Sequence, residues 1–181
     1  LFDYDLYDAW LIFEESSAER IVRQYFLRWY VPALVGRLRT LSAGGTGNVE
    51  PTFADFSRLF LYAHLQPTYA GRAWVLVDGD ASGRNVIERL RDRFGDTWAP
   101  TNFRSLSREK FEQYYPSRFS ADVADISLIP HGKDRQGAKG ALLAAVIAWI
   151  EEDEDAAKAA FADSGEEIVG LLQEIESAIC D

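Results

Sequence analysis

Short apolar blocks, separated by polar and turn-forming residues, run through the first 107 positions of the chain. Four of these blocks predict strands, over 9–15, 36–43, 72–80 and 101–107. Between them, apolar positions three and four residues apart predict helices over 16–35, 51–65 and 82–95. Strands that alternate with helices typically form a parallel sheet with helices on its faces. We therefore expect an α/β core over residues 1–107.

The pattern changes after residue 107, where helical periodicity replaces the alternation. Residues 108–115 (REKFEQYY) predict a helix, a loop then runs on through residues 129–137 (IPHGKDRQG), and residues 138–150 (AKGALLAAVIAWI) predict a second helix. An amphipathic pattern near the C-terminus predicts a last helix. Residues 108–181 are therefore expected to form a helical extension of the core.

Composition limits the classes of function. The formal net charge is −10, with 29 acidic and 19 basic residues, and this argues against tight autonomous binding to nucleic acid. Much of the acidity lies within 151–176, however, and arginines dominate the earlier part, so a basic face is compatible with the sequence. No apolar run has the ~18–20 residues of a membrane span. The single Cys180 excludes a disulfide framework and favours a cytoplasmic location. The start at Leu1 and the lack of methionine indicate a domain of a longer protein.

Acidic residues follow two of the predicted strands. Glu14 and Glu15 end the first strand, and Asp78 and Asp80 end the third. Ligands of parallel α/β sheets bind beyond the carboxyl ends of the strands, so Glu15, Asp78 and Asp80 are expected to meet at one edge. Clustered carboxylates repel one another unless a cation neutralises them, and oxygen ligands suit Mg²⁺ or Mn²⁺. Such a site supports phosphoryl-transfer chemistry.

Glycines and small residues lie next to these acids. The GGTGN segment (44–48) lacks the G-K-[ST] ending of an ATP-binding P-loop and predicts a tight turn. Beside a metal, its glycines would let the backbone approach a phosphate, and Ser82 and Gly83 would place free helix amides near the same anion. The two histidines, His64 and His131, and the lone Cys180 do not suggest zinc or a Cys/His nucleophile.

Four segments in this order resemble the Toprim domain of topoisomerases, primases and some nucleases: LIFEESSAERIV, LSAGGTGNV, VLVDGDASGR and KFEQYYP. The version to which the chain is most similar is that of the overcoming-lysogenization-defect (OLD) nucleases, in which a Toprim nuclease follows an ABC-type ATPase and which often act in defence against phage. The resemblance covers roughly residues 9–116, and the helix that Lys139 is expected to open extends it. It implies a Rossmann-like, Toprim-type parallel sheet flanked by helices, with a C-terminal helical extension.

The resemblance also implies roles for single residues. The family's first-strand glutamate falls on Glu15, with Glu14 as the alternative, and Ser16 stands where the family has glycine. The lysine of the following helix falls on Lys139, with Lys133 as the alternative. The implied catalytic residues are Glu15, Asp78, Asp80 and Lys139; the implied metal ligands are Glu15, Glu19, Asp78, Asp80 and Glu112; and the implied phosphate-binding residues are Gly44, Gly45, Gly47, Ser82 and Gly83.

The activity that the resemblance implies is metal-dependent endonucleolytic cleavage of DNA with two Mg²⁺ or Mn²⁺ ions. It further implies an ABC-type ATPase domain in the same full-length chain and assembly into a homo-oligomer through regions outside this sequence. Two alternatives stay open. One is another Toprim enzyme, such as a primase, topoisomerase or RNA-processing nuclease, and the other is a degenerate Toprim scaffold without catalysis.

Overall fold

The computed structural model describes residues 7–180, in which a parallel sheet carries helices on both faces. All strand pairs are parallel, in the order β2-β1-β3-β4. The strands are β1 (Ala9–Phe13), β2 (Leu38–Ser42), β3 (Ala73–Val77) and β4 (Phe103–Ser105). This confirms the predicted α/β class and places the carboxyl ends of all four strands along one edge of the sheet.

The helices fall into two groups along the chain. Those among and beside the strands are α1 (Ser16–Ile21), α2 (Leu27–Tyr30), α3 (Thr46–Tyr62), α4 (Gln66–Tyr69) and α5 (Ala81–Phe94). A π-helical segment, Val22–Phe26, joins α1 to α2. The three together form one continuous helical stretch within the helix predicted over 16–35. The C-terminal helices are α6 (Ser120–Leu128), α7 (Lys133–Glu152), α8 (Glu154–Ser164) and α9 (Glu166–Cys180). Short 3₁₀ turns span Pro32–Leu34, Pro100–Asn102, Phe111–Tyr114 and Ser117–Phe119.

Two apolar cores lie on opposite faces of the sheet. Successive side chains of a strand point to opposite faces, and β3 divides accordingly. Trp74 and Leu76 belong to the core that includes α1, α2 and the C-terminal helices, whereas Val75 and Val77 belong to the core beneath α3 and α5. β3 is buried along its whole length, which explains why its sequence is an uninterrupted apolar run.

Three predicted helices differ from the structure: two begin at other residues, and one does not form. α3 begins at Thr46 rather than at residue 51, so Gly47 lies inside a helix and not in the preceding turn. α7 begins at Lys133, so Lys139 lies in its second turn and does not open it. Residues 108–115 do not form a helix but contain only the 3₁₀ turn Phe111–Tyr114. In the first two cases the helix continues through glycines that local propensity disfavours by roughly 1 kcal/mol each, an amount that tertiary packing outweighs.

None of the helices within residues 7–180 combines the length and the apolar character needed to cross a membrane.

Candidate metal centre

Three carboxylates meet beyond the carboxyl ends of β1 and β3. Glu14, Glu15 and Asp78 each offer an oxygen within 4.8 Å of the other two, and this is the one such group of acidic, histidine or cysteine side chains among residues 7–180. Glu14 and Asp78 are buried, and Glu15 is partly exposed. The sheet itself sets this geometry, because parallel pairing brings the ends of β1 and β3 side by side. Two of the three acids predicted to meet at this edge, Glu15 and Asp78, therefore do so, and the third member of the group is Glu14 rather than Asp80.

Glu14 is hydrogen-bonded to the backbone just after the end of the neighbouring strand β3. Its Oε2 accepts a hydrogen bond from the Asp78 amide at 3.0 Å, and its other oxygen accepts one from the Thr46 hydroxyl. The Gly45 amide donates to the Glu14 carbonyl at 2.8 Å, which holds the turn before α3 against β1. The structure thus brings both alternatives for the first-strand glutamate to the site, with Glu14 inside and Glu15 at the cleft.

Asp78 is held between a backbone amide and a lysine. Oδ1 accepts from the Phe111 amide at 3.1 Å, and Oδ2 accepts from Lys110 Nζ at 3.2 Å. Burial, followed by the charge of Glu14, raises the pKa of Asp78 to about 7, although Lys110 acts in the opposite direction. An acid with such a pKa is partly protonated near neutrality, which relieves some of the repulsion within the group.

Asp80 has a different environment, although it lies only two residues further on. It is the N-cap of α5, where Oδ1 accepts from the Gly83 amide at 2.8 Å, and Oδ2 accepts from Lys110 Nζ at 2.6 Å. Burial alone would raise the pKa of Asp80, but the hydrogen bonds from Lys110 and from the Gly83 and Ser82 amides lower it overall. Asp80 is not part of the three-carboxylate group, and Lys110 links it to Asp78.

A second lysine pairs with acids from two different elements. Lys139 of α7 donates to both oxygens of Glu15, at 2.9 and 2.7 Å, and lies 3.1 Å from Glu112 Oε1. Burial by itself would lower the pKa of Lys139, but Glu112 and Glu15 raise it above its ordinary value. The structure thus brings Lys139, Glu15 and Glu112 together as the resemblance implied, whereas Lys133 is exposed at the first position of α7.

Glu112 retains an unsatisfied oxygen in spite of this ion pair. The residue is 3% exposed, and its Oε1 is buried without a hydrogen bond of acceptable geometry. Ser17 Oγ and the Tyr115 hydroxyl are also buried without a partner, so that three of the four such side-chain atoms within residues 7–180 belong to Glu112 and to residues near Glu15. Unpartnered buried polar atoms are rare in native proteins and often mark a place that a water or an ion fills.

Glu19 is a further implied ligand that the structure does not bring to the three-carboxylate group. Its Oε1 accepts from the Thr40 hydroxyl at 2.5 Å and from Arg23 Nε at 2.7 Å. These partners lie on β2 and in the π-helical segment, and they fix the Glu19 carboxylate there rather than beside Asp78.

Two different structural constraints require glycine near the site, namely a positive φ and the close approach of a neighbouring backbone. Gly44 and Gly45 have φ values of 78° and 124°, so they turn the chain from β2 into α3 as predicted. Gly83 lies against the end of β3, where an added Cβ would be 2.1 Å from the Asp78 carbonyl oxygen. Gly79 is similarly enclosed, since an added Cβ would be 2.2 Å from the Leu106 carbonyl oxygen. Gly83 thus serves close packing, and its amide donates to Asp80 Oδ1 rather than being free for an anion as predicted.

Two adjoining clefts open onto Glu15 and Lys139. The first, of about 350 Å³, is also lined by Ser16, Ser17, Gly44, Gly45, Gln136, Gly140 and Leu143. The second, of about 260 Å³, is lined by Glu15, Lys110, His131, Gly132, Arg135, Gln136 and Lys139. Because Glu15, Gln136 and Lys139 line both, the clefts form one continuous depression at Glu15, whereas the buried Glu14 and Asp78 line neither cleft.

Lys110 is the residue that the sequence reasoning missed. It bridges Asp78 and Asp80, and the charges and hydrogen bonds of these two carboxylates hold its pKa above the ordinary value even though burial acts the other way. A signal was present, because Lys110 lies two residues before Glu112 in the segment already assigned to the site. The predicted helix over 108–115 concealed it, whereas the extended backbone observed at Lys110 lets its side chain reach the strand end.

The donor set fits a hard divalent cation. All candidate ligands are carboxylate oxygens, which suit Mg²⁺ and Mn²⁺, and Glu112 Oε1 is a buried acceptor without a hydrogen-bonding donor. Glu14, Glu15 and Asp78 are the residues that would hold such an ion, with Glu112 beside them.

Comparison of the chain with protein-family models, with curated protein sequences and with solved structures gave no match.

Proposed function

We propose that this chain is a metal-dependent phosphodiesterase that cleaves DNA endonucleolytically, a Toprim-type domain of the OLD nuclease class. The observation that carries the proposal is the group of Glu14, Glu15 and Asp78, whose oxygens lie within 4.8 Å of one another at the edge of the sheet where α/β proteins bind ligands. The four segments that resemble Toprim domains, in the same order, indicate that the reaction at this site is phosphodiester cleavage.

The charge at the site supports binding of a divalent ion. Five carboxylates, those of Glu14, Glu15, Asp78, Asp80 and Glu112, are matched by the ammonium groups of only two lysines, Lys110 and Lys139. Buried negative charge that lacks a counter-charge is costly. A divalent cation would offset this excess of negative charge.

Each residue near the ion has a role that its position supports. Glu14, Glu15 and Asp78 would hold the ion, which when bound supplies Lewis-acid activation of a phosphodiester and of a water nucleophile. Lys139 keeps a positive charge at the cleft, where it offsets negative charge on the phosphate that is attacked. Asp80 positions Lys110 and caps α5. An upstream ABC-type ATPase domain in the same full-length chain and a role in phage defence enter the proposal through the resemblance alone, and a cytoplasmic location enters it through the single Cys180.

A second candidate function is favoured by one observation. Lys110 and Lys139 already pair with four of the five acids, as they would in a Toprim-like scaffold that has lost its metal and binds a partner without catalysis. In that case the network would be a structural set of ion pairs, and the protein would bind Mn²⁺ no better than an ordinary acidic surface does.

Cleavage of supercoiled plasmid DNA tests the proposal. The protein is incubated with Mg²⁺, Mn²⁺, Ca²⁺ or EDTA, together with Glu15→Gln and the control Asp55→Asn, which alters an exposed acid on α3 that pairs only with Arg58. We expect nicking with Mg²⁺ or Mn²⁺, reduced on the order of 100-fold in Glu15→Gln and unchanged in the control.

Calorimetric titration with Mn²⁺ separates the two candidates if no cleavage is seen. Stoichiometric binding that Glu15→Gln abolishes supports a metal-dependent domain that is silent without its ATPase. Absence of Mn²⁺ binding rejects the proposed function in favour of the scaffold.

A further inference from the structure

The cleft lined by Lys110, His131, Arg135 and Lys139 contains two residues, His131 and Arg135, that have no role in the site described so far. Its two lysines are neutralised by carboxylates of the candidate metal centre, so in the part of the chain that the structure describes Arg135 is the one cation of this cleft that no acid offsets. A cation without a neutralising acid attracts an anion to its position.

Arg135 is the cation in this cleft that is least used by the protein. Lys110 and Lys139 are both engaged by carboxylates of the candidate metal centre. The guanidinium of Arg135, by contrast, forms no ion pair with any acid within residues 7–180, and its one side-chain contact joins Nη1 to His131 Nε2 at 3.4 Å. Arg135 is nevertheless only partly exposed, so its donors face the cleft rather than open solvent alone.

The neighbouring cleft offers neutral donors instead of charge. It is lined by the Gly44–Gly45 turn, where the absence of side chains leaves the backbone accessible, and by Ser16 and Ser17. Ser17 Oγ is buried without a hydrogen-bond partner. Glu15 and Lys139 lie between the two clefts and line both. The depression thus has Arg135 and His131 on one side of Glu15 and is lined by glycine and serine on the other.

We propose that Arg135 and His131 bind the DNA phosphate adjacent to the phosphodiester that lies over Glu15, so that the strand runs from Arg135 to the Gly44–Gly45 turn. The inference rests on the proposed function, since it concerns the substrate of the same site. A phosphodiester matches the chemistry, because the planar guanidinium donates two parallel hydrogen bonds to phosphate oxygens. These contacts position the strand and carry no sequence information.

Fluorescence anisotropy of a labelled DNA duplex tests the inference at low ionic strength, with Ca²⁺ and again in EDTA. The variant is Arg135→Ala, and the matched control is Arg58→Ala, which removes an arginine of α3 that pairs with Asp55. We expect Arg135→Ala to weaken DNA binding about fivefold in both buffers and to lower the slope of log K against log salt by about one. We expect the control to bind as the unaltered protein does.

Each outcome bears on the inference separately from the proposed function. Equal binding and an equal salt slope in Arg135→Ala and the unaltered protein overturn it, as does failure of the unaltered protein to bind DNA in either buffer. Mn²⁺ titration of Arg135→Ala gives the second readout, and metal affinity is expected to stay unchanged because Arg135 contacts none of the carboxylates. Loss of Mn²⁺ binding or of the circular dichroism spectrum in this variant would assign Arg135 a structural role and overturn the inference.

Discussion

Burial raises the pKa of Asp78. Its surroundings favour the protonated carboxyl, with a pKa of about 7 in the folded protein against an ordinary value of 3.8. Between these two pH values the folded state binds a proton that the unfolded chain has released, so the free energy of unfolding falls as the pH rises. At about 1.4 kcal/mol for each pH unit, the loss from this residue amounts to at most about 4 kcal/mol.

Replacing Asp78 with Asn should therefore change how stability depends on pH. In EDTA, we expect the melting temperature of Asp78→Asn relative to the unaltered protein to rise between pH 5 and about pH 7 and to level off above it, because above about pH 7 the Asp78 carboxylate is ionised in both the folded and the unfolded protein. Thermal melts followed by circular dichroism across this range make the measurement. Asp80→Asn is the matched control, since the lowered pKa of Asp80 leaves it ionised throughout the range and predicts a constant difference. If the difference in melting temperature were constant for Asp78→Asn as well, the raised pKa of Asp78 would be contradicted.

Lys110 would compete with a bound metal ion for Asp78 Oδ2. Its ammonium lies 2.6 Å from Asp80 Oδ2 and 3.2 Å from Asp78 Oδ2, where it places a positive charge beside the three-carboxylate group. We expect Lys110→Met to bind Mn²⁺ about tenfold more tightly, because the variant removes both the repulsion between cations and a competitor for Asp78. Calorimetric titration at constant pH measures the affinity. Lys133→Met, an exposed lysine of α7, controls for overall charge, and weaker Mn²⁺ binding by Lys110→Met would instead show that the lysine supports the metal site.

At the scale of elements, the joint between β3 and α5 depends on glycine. An alanine at Gly83 would bring its Cβ to 2.1 Å from the Asp78 carbonyl oxygen, and α5 cannot retreat without separating Val86 and Ile87 from the core. We expect Gly83→Ala to lower the free energy of unfolding by about 2–3 kcal/mol. Gly47→Ala is the control, for which a change in stability of the opposite sign is expected. It lies within α3 with open space around its Cβ, so it should raise stability by about 0.5–1 kcal/mol. Urea denaturation distinguishes the two signs, and equal effects would show that close packing is not what requires Gly83.

The order and type of most elements were predictable because periodicity reports directly on which face of an element is buried. The four strands and the helices between them lie where apolar blocks and spacing placed them, although β4 contracts to Phe103–Ser105. The boundaries of α3 and α7 were not predictable in the same way. Each begins with residues that local chemistry assigns to turns, and burial of the following apolar residues, such as Val49 in α3 and Leu142 in α7, extends the helix backwards over them.

The site was predictable to the extent that strand ends define it. Glu14, Glu15 and Asp78 follow from the topology of a parallel sheet, and Lys139 and Glu112 from the resemblance. What sequence reasoning did not provide was the direction of each side chain. Glu19 lies one helical turn after Glu15, yet Thr40 and Arg23 hold it away from the cluster. Lys110 reaches the cluster because residues before the 3₁₀ turn are extended, a local conformation that helical periodicity in REKFEQYY concealed.

At the scale of the whole molecule, one apolar core joins the two parts that the sequence distinguishes. Half of the buried side chains in the larger core come from residues after 107, among them Phe161 and Leu172. Polar contacts cross between the same parts, since Trp29 Nε1 donates to Glu154 Oε1 at 2.6 Å and Arg104 pairs with Glu174 at 2.6 Å. The helical extension therefore covers one face of the sheet and also carries Lys139 to the carboxylates.

This shared core predicts how a fragment of residues 1–107 behaves. Without the C-terminal helices, the face of the sheet formed by Leu11, Trp74 and Leu76 would lie open to water, and α1 and α2 would lose the packing that holds them. Exposed apolar surface costs about 25 cal/mol per Å², and a domain stable by only about 5–15 kcal/mol does not withstand a loss of this extent. We expect the fragment to melt without a cooperative transition and to give a poorly dispersed amide NMR spectrum, whereas residues 1–181 unfold in one step. A fragment with dispersed resonances and a cooperative melt would instead establish residues 1–107 as a domain that folds alone, and Lys139 would then reach the site from a separately folded unit.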